Sequence, residues 1–193
     1  EKKVAPREPI SAKLVANLLV AAGAQRILTL DLHAQQIQGF FDIPLDHLYA
    51  SPVIVTYLQE KRLPQPVVVS PDTGGLKMAH AYAQMLQAEL AIVAKQRKGP
   101  TEVEAFSLVG EVEGRTAILV DDLTTTAGTL CEAAAFVTRH GARAVYAAVT
   151  HAVLAPIGVE RLKRSVISEL VVTDSVPIRD TAGLPLTVLS VAG

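Results

Sequence analysis

The stretch AILVDDLTTTAGTL, residues 117–130, decides the fold of this chain. Its first four residues are apolar and lead into two acidic residues, Asp121 and Asp122. Three consecutive threonines and an alanine follow, and an apolar helical pattern begins at Gly128. An apolar strand that runs into a polar loop and then into a helix is the repeating unit of α/β proteins. The stretch therefore predicts a buried strand, a loop and a helix, in that order.

The same alternation of apolar runs and helical patterns extends along the chain in both directions. The apolar runs are rich in Val, Ile and Leu and show little polar alternation, which is typical of parallel strands buried on both faces. Predicted strands cover residues 26–30, 66–70, 91–95, 115–120, 144–150, 169–173 and 186–190, and predicted helices cover residues 11–22, 75–87, 128–140 and 156–164. Ser11 is the expected N-cap of the first helix, and Gly23 is its expected end. Repeated strand–helix–strand units predict an α/β fold, a mostly parallel sheet flanked by helices.

The composition limits the classes of partner. The chain carries 18 basic and 19 acidic residues, so its net charge of -1 gives no electrostatic reason to expect nucleic acid. Charged residues interrupt every apolar run before it reaches the ~18 residues of a membrane span. The single cysteine, Cys131, excludes a disulfide within this sequence and fits a reducing compartment. We expect a cytoplasmic protein without a membrane or nucleic-acid partner.

The residues after the central strand suit the binding of a phosphate group. The start of a helix offers backbone N–H groups that have no helical partner, and the helix dipole adds positive charge there. Hydroxyls at residues 124–126 and at Thr129 can donate further hydrogen bonds, and Gly128 allows close approach of the backbone. Asp121 and Asp122 repel phosphate, so they suit sugar hydroxyls or a Mg²⁺ held between a sugar and a diphosphate.

An ordinary strand-to-helix turn is the alternative interpretation of this segment. One Asp followed by one Thr would fit such a turn, with the Thr as a helix cap. Two adjacent acids, three consecutive threonines and a glycine favour a binding site instead. The segment lacks the Lys that follows the glycine in a Walker A loop, and it lacks the glycine spacing of a dinucleotide-binding fold.

The segment VDDLTTTAGTL resembles the phosphoribosyl-pyrophosphate motif of type I phosphoribosyltransferases and phosphoribosyl-pyrophosphate synthetases. Further segments resemble the class I ribose-phosphate pyrophosphokinases, which are the phosphoribosyl-pyrophosphate synthetases, and together they extend over residues 2–178. These segments are PISAKLVANLL, LTLDLHAQQIQGFFDIPLDHLYASP, VVVSPDTGG, VGEVEGRTAILVDD, THAVL and ELVVTDSVPI. The resemblance implies a type I phosphoribosyltransferase-like fold.

The resemblance also implies an activity and a set of site residues. Members of that family transfer the β,γ-diphosphoryl group of ATP to the C1 hydroxyl of ribose 5-phosphate, use Mg²⁺ and release AMP. By motif, two residues match the Mg·ATP side, two match the basic pair of a catalytic loop, and seven match the binding site for ribose 5-phosphate. They are, in that order, His33 and Asp72; Lys95 and Arg97; and Asp121, Asp122, Thr125, Thr126, Ala127, Gly128 and Thr129.

Each residue outside the central segment also has a simpler interpretation. His33 on its own would be a packed or capping histidine. Asp72 could be a turn residue or a helix cap, because Gly74 and Gly75 follow it. Lys95 and Arg97 could be the solvated end of a strand. Their coincidence with the central segment and with the family pattern favours the functional assignment.

The family pattern predicts two domains and an assembly. Residues 1–48 match the C-terminal part of a first phosphoribosyltransferase-like domain, and residues 49–193 match a second one that carries the ribose-5-phosphate loop. The sequence begins after the position of the family's Arg-Gln motif for ATP, so we expect it to be a fragment or a short relative. The resemblance also implies a homo-oligomer, a hexamer in this family.

Three positions depart from the family pattern. The family usually has Asp where Thr125 stands, Arg where Met78 stands and Arg where Gln96 stands. Thr125 is compatible with binding of ribose 5-phosphate but cannot act as an acid or a base. Met78 predicts weaker binding of polyphosphate.

Three functions are compatible with the sequence. The leading hypothesis is the diphosphokinase that makes phosphoribosyl pyrophosphate from ATP and ribose 5-phosphate. A type I phosphoribosyltransferase would need a base-binding hood, for which no segment is found, and the DLHA element argues against it. A catalytically weak regulatory homologue would have lost the basic residues, yet Lys95 and Arg97 are present.

Overall fold

The computed structural model of the chain describes residues 10–96, 105–179 and 181–192. The chain divides into two compact units, Glu1–Ala50 and Ser51–Gly193. This division lies close to the boundary expected after residue 48. The interpretation of the first unit as the end of a phosphoribosyltransferase-like domain stays a prediction.

The described part of the first unit, residues 10–50, contains two helices and two short strands. Helix α1 spans Ser11–Ala21, strand β1 Ile27–Leu30, a short 3-10 helix Gln35–Phe40 and strand β2 Leu45–Leu48. The two strands pair in parallel, with Ile27 opposite Leu45. Gly23, with φ of 100°, follows α1 and ends it as predicted. The expected N-cap was wrong: Ser11 is the first helical residue, and Ile10 occupies the N-cap position.

The second unit is built on one large sheet with helices between its strands. Its helices are α2 Ser51–Glu60, α3 Leu76–Leu86, α4 Gly128–Arg139 and α5 Pro156–Lys163. Its strands are β3 Pro66–Ser70, β4 Glu89–Gln96, β5 Ala105–Val109, β6 Thr116–Thr124, β7 Ala144–Ala152, β8 Ile167–Thr173 and β9 Leu186–Leu189. The strand order is β5-β4-β3-β6-β7-β8-β9. Every neighbouring pair is parallel except β4 and β5, so the predicted mostly parallel sheet is confirmed.

The middle of this sheet forms its core and brings the carboxyl ends of two buried strands side by side. Val67, Val68 and Val69 of β3 are fully buried, and so are most residues of the neighbouring strand β6. The strands are parallel here, but the order in which they are added reverses at this pair: β3 continues through α3 to β4 on one side, while β6 continues through α4 to β7 on the other. In open α/β sheets, ligands bind beyond the carboxyl ends of strands at such a switch point. We therefore expect a binding site in the crevice beyond β3 and β6.

Two elements of the second unit do not follow the sequence prediction. Helix α2 was missed because Val53, Ile54, Val55 and Thr56 form a β-branched run, which by propensity favours a strand. Packing decides in favour of a helix here: Ile54, Val55 and Leu58 are buried along one side of α2. Strand β5 was also missed, and its five residues pair antiparallel with β4. In the described part of the chain, none of the helices combines the length and the apolar character that crossing a membrane requires.

A polar network fastens α2 to the far strands of the sheet. The carboxylate of Glu169 on β8 accepts hydrogen bonds from Tyr57 Oη at 2.5 Å and Thr187 Oγ1 at 2.6 Å. Lys61 Nζ lies 2.5 Å from Glu169 Oε2, and only 13% of the Glu169 side chain is exposed. Burial opposes the charge of this carboxylate, but hydrogen bonds from Lys61, Thr187 and Tyr57 outweigh burial and lower the pKa of Glu169.

We predict that Glu169→Gln destabilises the fold by about 1–3 kcal/mol at pH 7, because it leaves Lys61 without its counter-ion. A lowered pKa means that the carboxylate contributes stability above its ordinary value of 4.5 and loses it as the pH falls. Urea unfolding should therefore show a difference from wild type that shrinks toward pH 3. Glu160→Gln is the control, since Glu160 pairs with Lys163 at the surface. An equal loss for both variants would contradict a special role for the network.

Candidate functional site

The acidic pair lies at the carboxyl end of the central strand. Strand β6 continues to Thr124, four residues beyond the predicted end at Val120, so Asp121 and Asp122 belong to the strand itself. Pairing with β7 explains this extension, since Asp121 lies opposite Val149. The N–H of Asp122 donates to Asp121 Oδ1 at 3.0 Å. A side-chain hydrogen bond between Asp121 and Asp122 brings the two carboxyl groups together at the end of the strand.

Asp121 has an unusual protonation equilibrium. Burial raises the pKa of Asp121, and the charge and hydrogen bond of Asp122 raise it further, to about 7. The charge of Asp72 adds a smaller increase in the same direction. A carboxyl that lies close to a second carboxylate keeps its proton more readily, and such a site also attracts a cation. Negative charge is therefore concentrated beyond β3 and β6.

Asp72 follows the neighbouring strand and shapes the start of α3. Its Oδ1 accepts the N–H groups of Gly74 at 2.8 Å and Gly75 at 3.0 Å. Ser70 Oγ donates to the Asp72 carbonyl at 2.7 Å, which closes the turn after β3. The interpretation of Asp72 as a turn residue is therefore confirmed, whereas the N-cap of α3 is Gly75. Both N–H groups bind Oδ1, and Oδ2 takes part in neither of these bonds.

Three residues connect β6 to α4, and we call Thr125, Thr126 and Ala127 the β6–α4 loop. Ala127 adopts the left-handed conformation, with φ of 53° and ψ of 16°, and is the N-cap of α4. Its methyl group cannot accept a hydrogen bond, so it leaves the N–H groups of the first helical turn without a cap from its own side chain. A left-handed residue at such a junction is typical of backbone concavities that bind anions. The predicted position of the helix start at Gly128 is confirmed.

Hydroxyl groups surround this helix start. Thr125, Thr126 and Thr129 are exposed, while Ala127 is only 3% exposed. Exposed threonines next to uncapped N–H groups can supply hydroxyl donors to an anion. The positive end of the α4 dipole favours negative charge at the same place. The arrangement has the donors that binding a phosphate monoester requires.

The residues predicted for the Mg·ATP side are divided between the two units. His33 follows β1 in the first unit and is exposed, whereas Asp72 belongs to the second unit. The turn that carries His33 is well anchored: the N–H of Leu32 donates to His47 Nε2 at 3.0 Å, and Asp31 Oδ2 accepts the N–H of Ala50 at 3.1 Å. Sequence reasoning missed His47, whose contact with Leu32 spans 15 residues.

The basic pair predicted for catalysis is described only in part. Lys95 lies in β4, where its backbone is opposite Phe106 of β5. The Lys95 side chain and Arg97 lie outside the described residues. Their assignment as catalytic residues stays a prediction.

The acidic pair also fits a divalent cation. Across residues 10–96, 105–179 and 181–192, no group of three or more His, Cys, Asp and Glu side chains is arranged to hold a metal ion. Mg²⁺ needs no such group, because it is usually bound through one or two carboxylates together with water and substrate phosphates. Asp121 and Asp122 supply hard oxygen ligands, and burial together with the charge of Asp122 raises the pKa of Asp121.

Comparison with known proteins identifies the family. The family model of the phosphoribosyl transferase domain matches residues 53–177, and this chain belongs to that family. The ribose-phosphate pyrophosphokinases of Gloeobacter violaceus and of a Synechocystis species are each 52% identical to it over 194 residues. These matches cover 100% of this chain and 58% of each relative, so the chain spans little more than half of their length.

A solved structure agrees with the sequence comparison. The crystal structure of phosphoribosylpyrophosphate synthetase from Mycobacterium smegmatis superposes with a TM-score of 0.90 at 42% identity. The superposition covers 98% of this chain and 62% of that one. The resemblance inferred from sequence motifs and the type I phosphoribosyltransferase-like fold are both confirmed.

We predict that Asp121→Asn stabilises the fold at pH 8 but not at pH 4. The raised pKa means that folded Asp121 keeps a proton that the unfolded chain releases above its ordinary value of 3.8. Unfolding of the wild type therefore becomes easier between pH 4 and about 7. The gain of the variant at pH 8 should be on the order of 2 kcal/mol, or several degrees in Tm, because each pKa unit corresponds to ~1.4 kcal/mol and coupled carboxyls share the effect.

Asp174→Asn is the control for this prediction. Hydrogen bonds from Ser190 and from the N–H of Val191 lower the pKa of Asp174, so the pH dependence of this variant should have the opposite sign. Thermal unfolding followed by circular dichroism across this pH range makes the comparison. A Tm difference for Asp121→Asn that does not change with pH would refute the raised pKa.

Proposed function

We propose that the protein acts as a ribose-phosphate diphosphokinase, which makes 5-phosphoribosyl 1-pyrophosphate and AMP from ATP and ribose 5-phosphate. The observation that carries the proposal is the acidic pair of β6 leading directly into an uncapped, hydroxyl-rich start of α4. The names of the relatives, at 52% identity along the whole chain, support this activity over that of a phosphoribosyltransferase. The proposal concerns the whole protein, since the chain spans 58% of those relatives.

The site separates the two ends of ribose 5-phosphate by their charge. The 5-phosphate binds the N–H groups and hydroxyls between Thr125 and Thr129, where the helix dipole is favourable. Asp121 and Asp122 lie on the strand before this loop and accept hydrogen bonds from the sugar hydroxyls. The carboxylates repel an anion unless a cation lies between them, and a phosphate gains more from the helix dipole than a hydroxyl does, so the substrate has one favoured orientation.

Asp121 and Asp122 are also the residues that would hold Mg²⁺. The cation, when bound, would offset the charge of the phosphates and of the carboxylates together. The Asp121 carboxyl, whose pKa is about 7, would release its proton as it becomes a ligand. His33 and Asp72 serve the Mg·ATP side in this proposal.

Lys95 and Arg97 act on the transferred diphosphoryl group. Positive side chains that meet the group only in the transition state lower its energy without tightening substrate binding. Thr125 occupies the position of a usual Asp, so the loop binds the phosphate and transfers no proton. We further propose a homo-oligomer, on the family resemblance alone.

We predict that the chain binds ribose 5-phosphate and that Asp122→Asn weakens this binding about tenfold, through loss of a charged hydrogen-bond acceptor. Isothermal titration measures the affinity of each variant. Asp174→Asn, which replaces an exposed carboxylate after β8, is the matched control and should bind as the wild type does. Equal affinities for the wild type and Asp122→Asn would remove the acidic pair from the sugar site.

We predict that Arg97→Ala lowers kcat roughly 10²-fold while KM changes little, the scale of one lost electrostatic stabiliser. Steady-state formation of AMP from ATP and ribose 5-phosphate provides the measurement. A rise in KM for ribose 5-phosphate with unchanged kcat would place Arg97 in the sugar site instead.

His33→Ala and Asp72→Ala should lower the rate of AMP formation without weakening the binding of ribose 5-phosphate. Full activity in all three variants would contradict the proposed roles.

A further inference from the structure

The N-cap residue of helix α5 and an arginine within that helix both donate hydrogen bonds to the β6–α4 loop. The N–H of Ala155, the N-cap of α5, donates to the Thr125 carbonyl at 3.0 Å. The guanidinium of Arg161 donates through Nη1 to the Thr126 carbonyl at 3.1 Å. Two consecutive carbonyl groups of the loop therefore point toward α5.

The direction of these carbonyls fixes the direction of the neighbouring N–H groups. In a trans peptide, the C=O and the N–H of one unit point in opposite directions. The carbonyl of Thr125 shares its peptide with the N–H of Thr126, and the carbonyl of Thr126 shares its peptide with the N–H of Ala127. Both N–H groups consequently point away from α5, on the side where the proposed phosphate binds.

The contact between α5 and the loop is close. A Cβ atom at Gly158 would lie 2.5 Å from the Thr125 carbonyl oxygen and 3.3 Å from the Thr126 Cα. A Cβ atom at Gly128 would lie 3.2 Å from Arg161 Nη1. Gly158 and Arg161 are three residues apart and so share one side of α5. Gly158 contacts the loop backbone and Arg161 donates a hydrogen bond to it, so α5 contacts the loop over nearly one helical turn.

Arg161 differs from the other basic residues at the end of α5 in its partner. Lys163 and Arg164 both pair with Glu160 on the helix surface. The guanidinium of Arg161 instead contacts the loop, where its charge strengthens the hydrogen bond to a carbonyl. Without that donor, the Thr126–Ala127 peptide would lose the contact that sets its orientation.

We propose that Arg161 is a positioning residue for the 5-phosphate of ribose 5-phosphate. It acts through the backbone: by fixing the Thr126 carbonyl, it directs the N–H of Ala127 at the phosphate before the substrate arrives. A preoriented N–H group pays no reorganisation cost on binding. This inference rests on the proposed function, because it assigns the anion of the β6–α4 loop to that substrate.

Titration of ribose 5-phosphate into the 193-residue chain tests the inference. Arg161→Ala should weaken binding about tenfold, the effect of one charge-assisted hydrogen bond. Arg161→Lys keeps a charged donor and should recover part of the affinity, and it supplies the comparison if the alanine variant does not fold. Arg164→Ala removes an equal charge from the same helix end and should bind as the wild type does. Equal weakening in Arg161→Ala and Arg164→Ala, or no weakening in either, would overturn the inference.

An NMR measurement separates positioning from a general loss of structure. Ribose 5-phosphate should move the amide protons of Ala127 and Thr129 downfield in the wild type. In Arg161→Ala the shift at Ala127 should be lost and the shift at Thr129 kept. Loss of both shifts, or of neither, would contradict a role for Arg161 through one peptide. If the unaltered chain does not bind ribose 5-phosphate at all, the proposed function itself fails.

Discussion

The left-handed turn at Ala127 is the constraint on which the candidate site depends. It joins the carboxyl end of β6 to the start of α4, with φ of 53° in a residue that has a side chain. Such a conformation costs on the order of 1 kcal/mol in a non-glycine residue, and surrounding contacts must hold it. Those contacts are visible: the Ala127 methyl is buried, the loop carbonyls are bound from α5, and the N–H of Cys131 donates to the Ala127 carbonyl at 3.0 Å.

The electrostatics of the site follow from the same junction. The strand delivers two carboxyl groups, and the helix delivers a positive dipole end only a few residues later. The raised pKa of Asp121 reflects its burial together with the nearby charges of Asp122 and Asp72. Opposite charges separated by a few residues suit a ligand that carries hydroxyls at one end and a phosphate at the other. The switch point between β3 and β6 gives this ligand its space, and Asp72 borders it from the neighbouring strand.

Local sequence predicted those parts that local physics controls. The strand, the acidic pair, the threonines and the helix start at Gly128 are contiguous, so their order alone indicates an anion-binding junction. The exact end of β6 was wrong because the pairing partner, β7, lies 20 or more residues away in sequence and extends the ladder to Thr124. Helix α2 was missed because its β-branched run opposes the helix that tertiary packing selects.

The residues that orient the backbone around the site could not be predicted from the sequence, because their contacts are also distant along the chain. Arg161 contacts a carbonyl 35 residues earlier, and no motif at either position indicates that contact. His47 likewise supports the turn before His33 from 15 residues away. Residues that bind a ligand directly follow a spacing rule, whereas residues that orient the backbone are chosen by tertiary proximity.

A crystal structure of the chain with ribose 5-phosphate tests the central claim most directly. Our account predicts the phosphate on the N–H groups between Thr125 and Thr129, with the sugar hydroxyls on Asp121 and Asp122. A substrate phosphate bound elsewhere, with the start of α4 left without an anion, would contradict it.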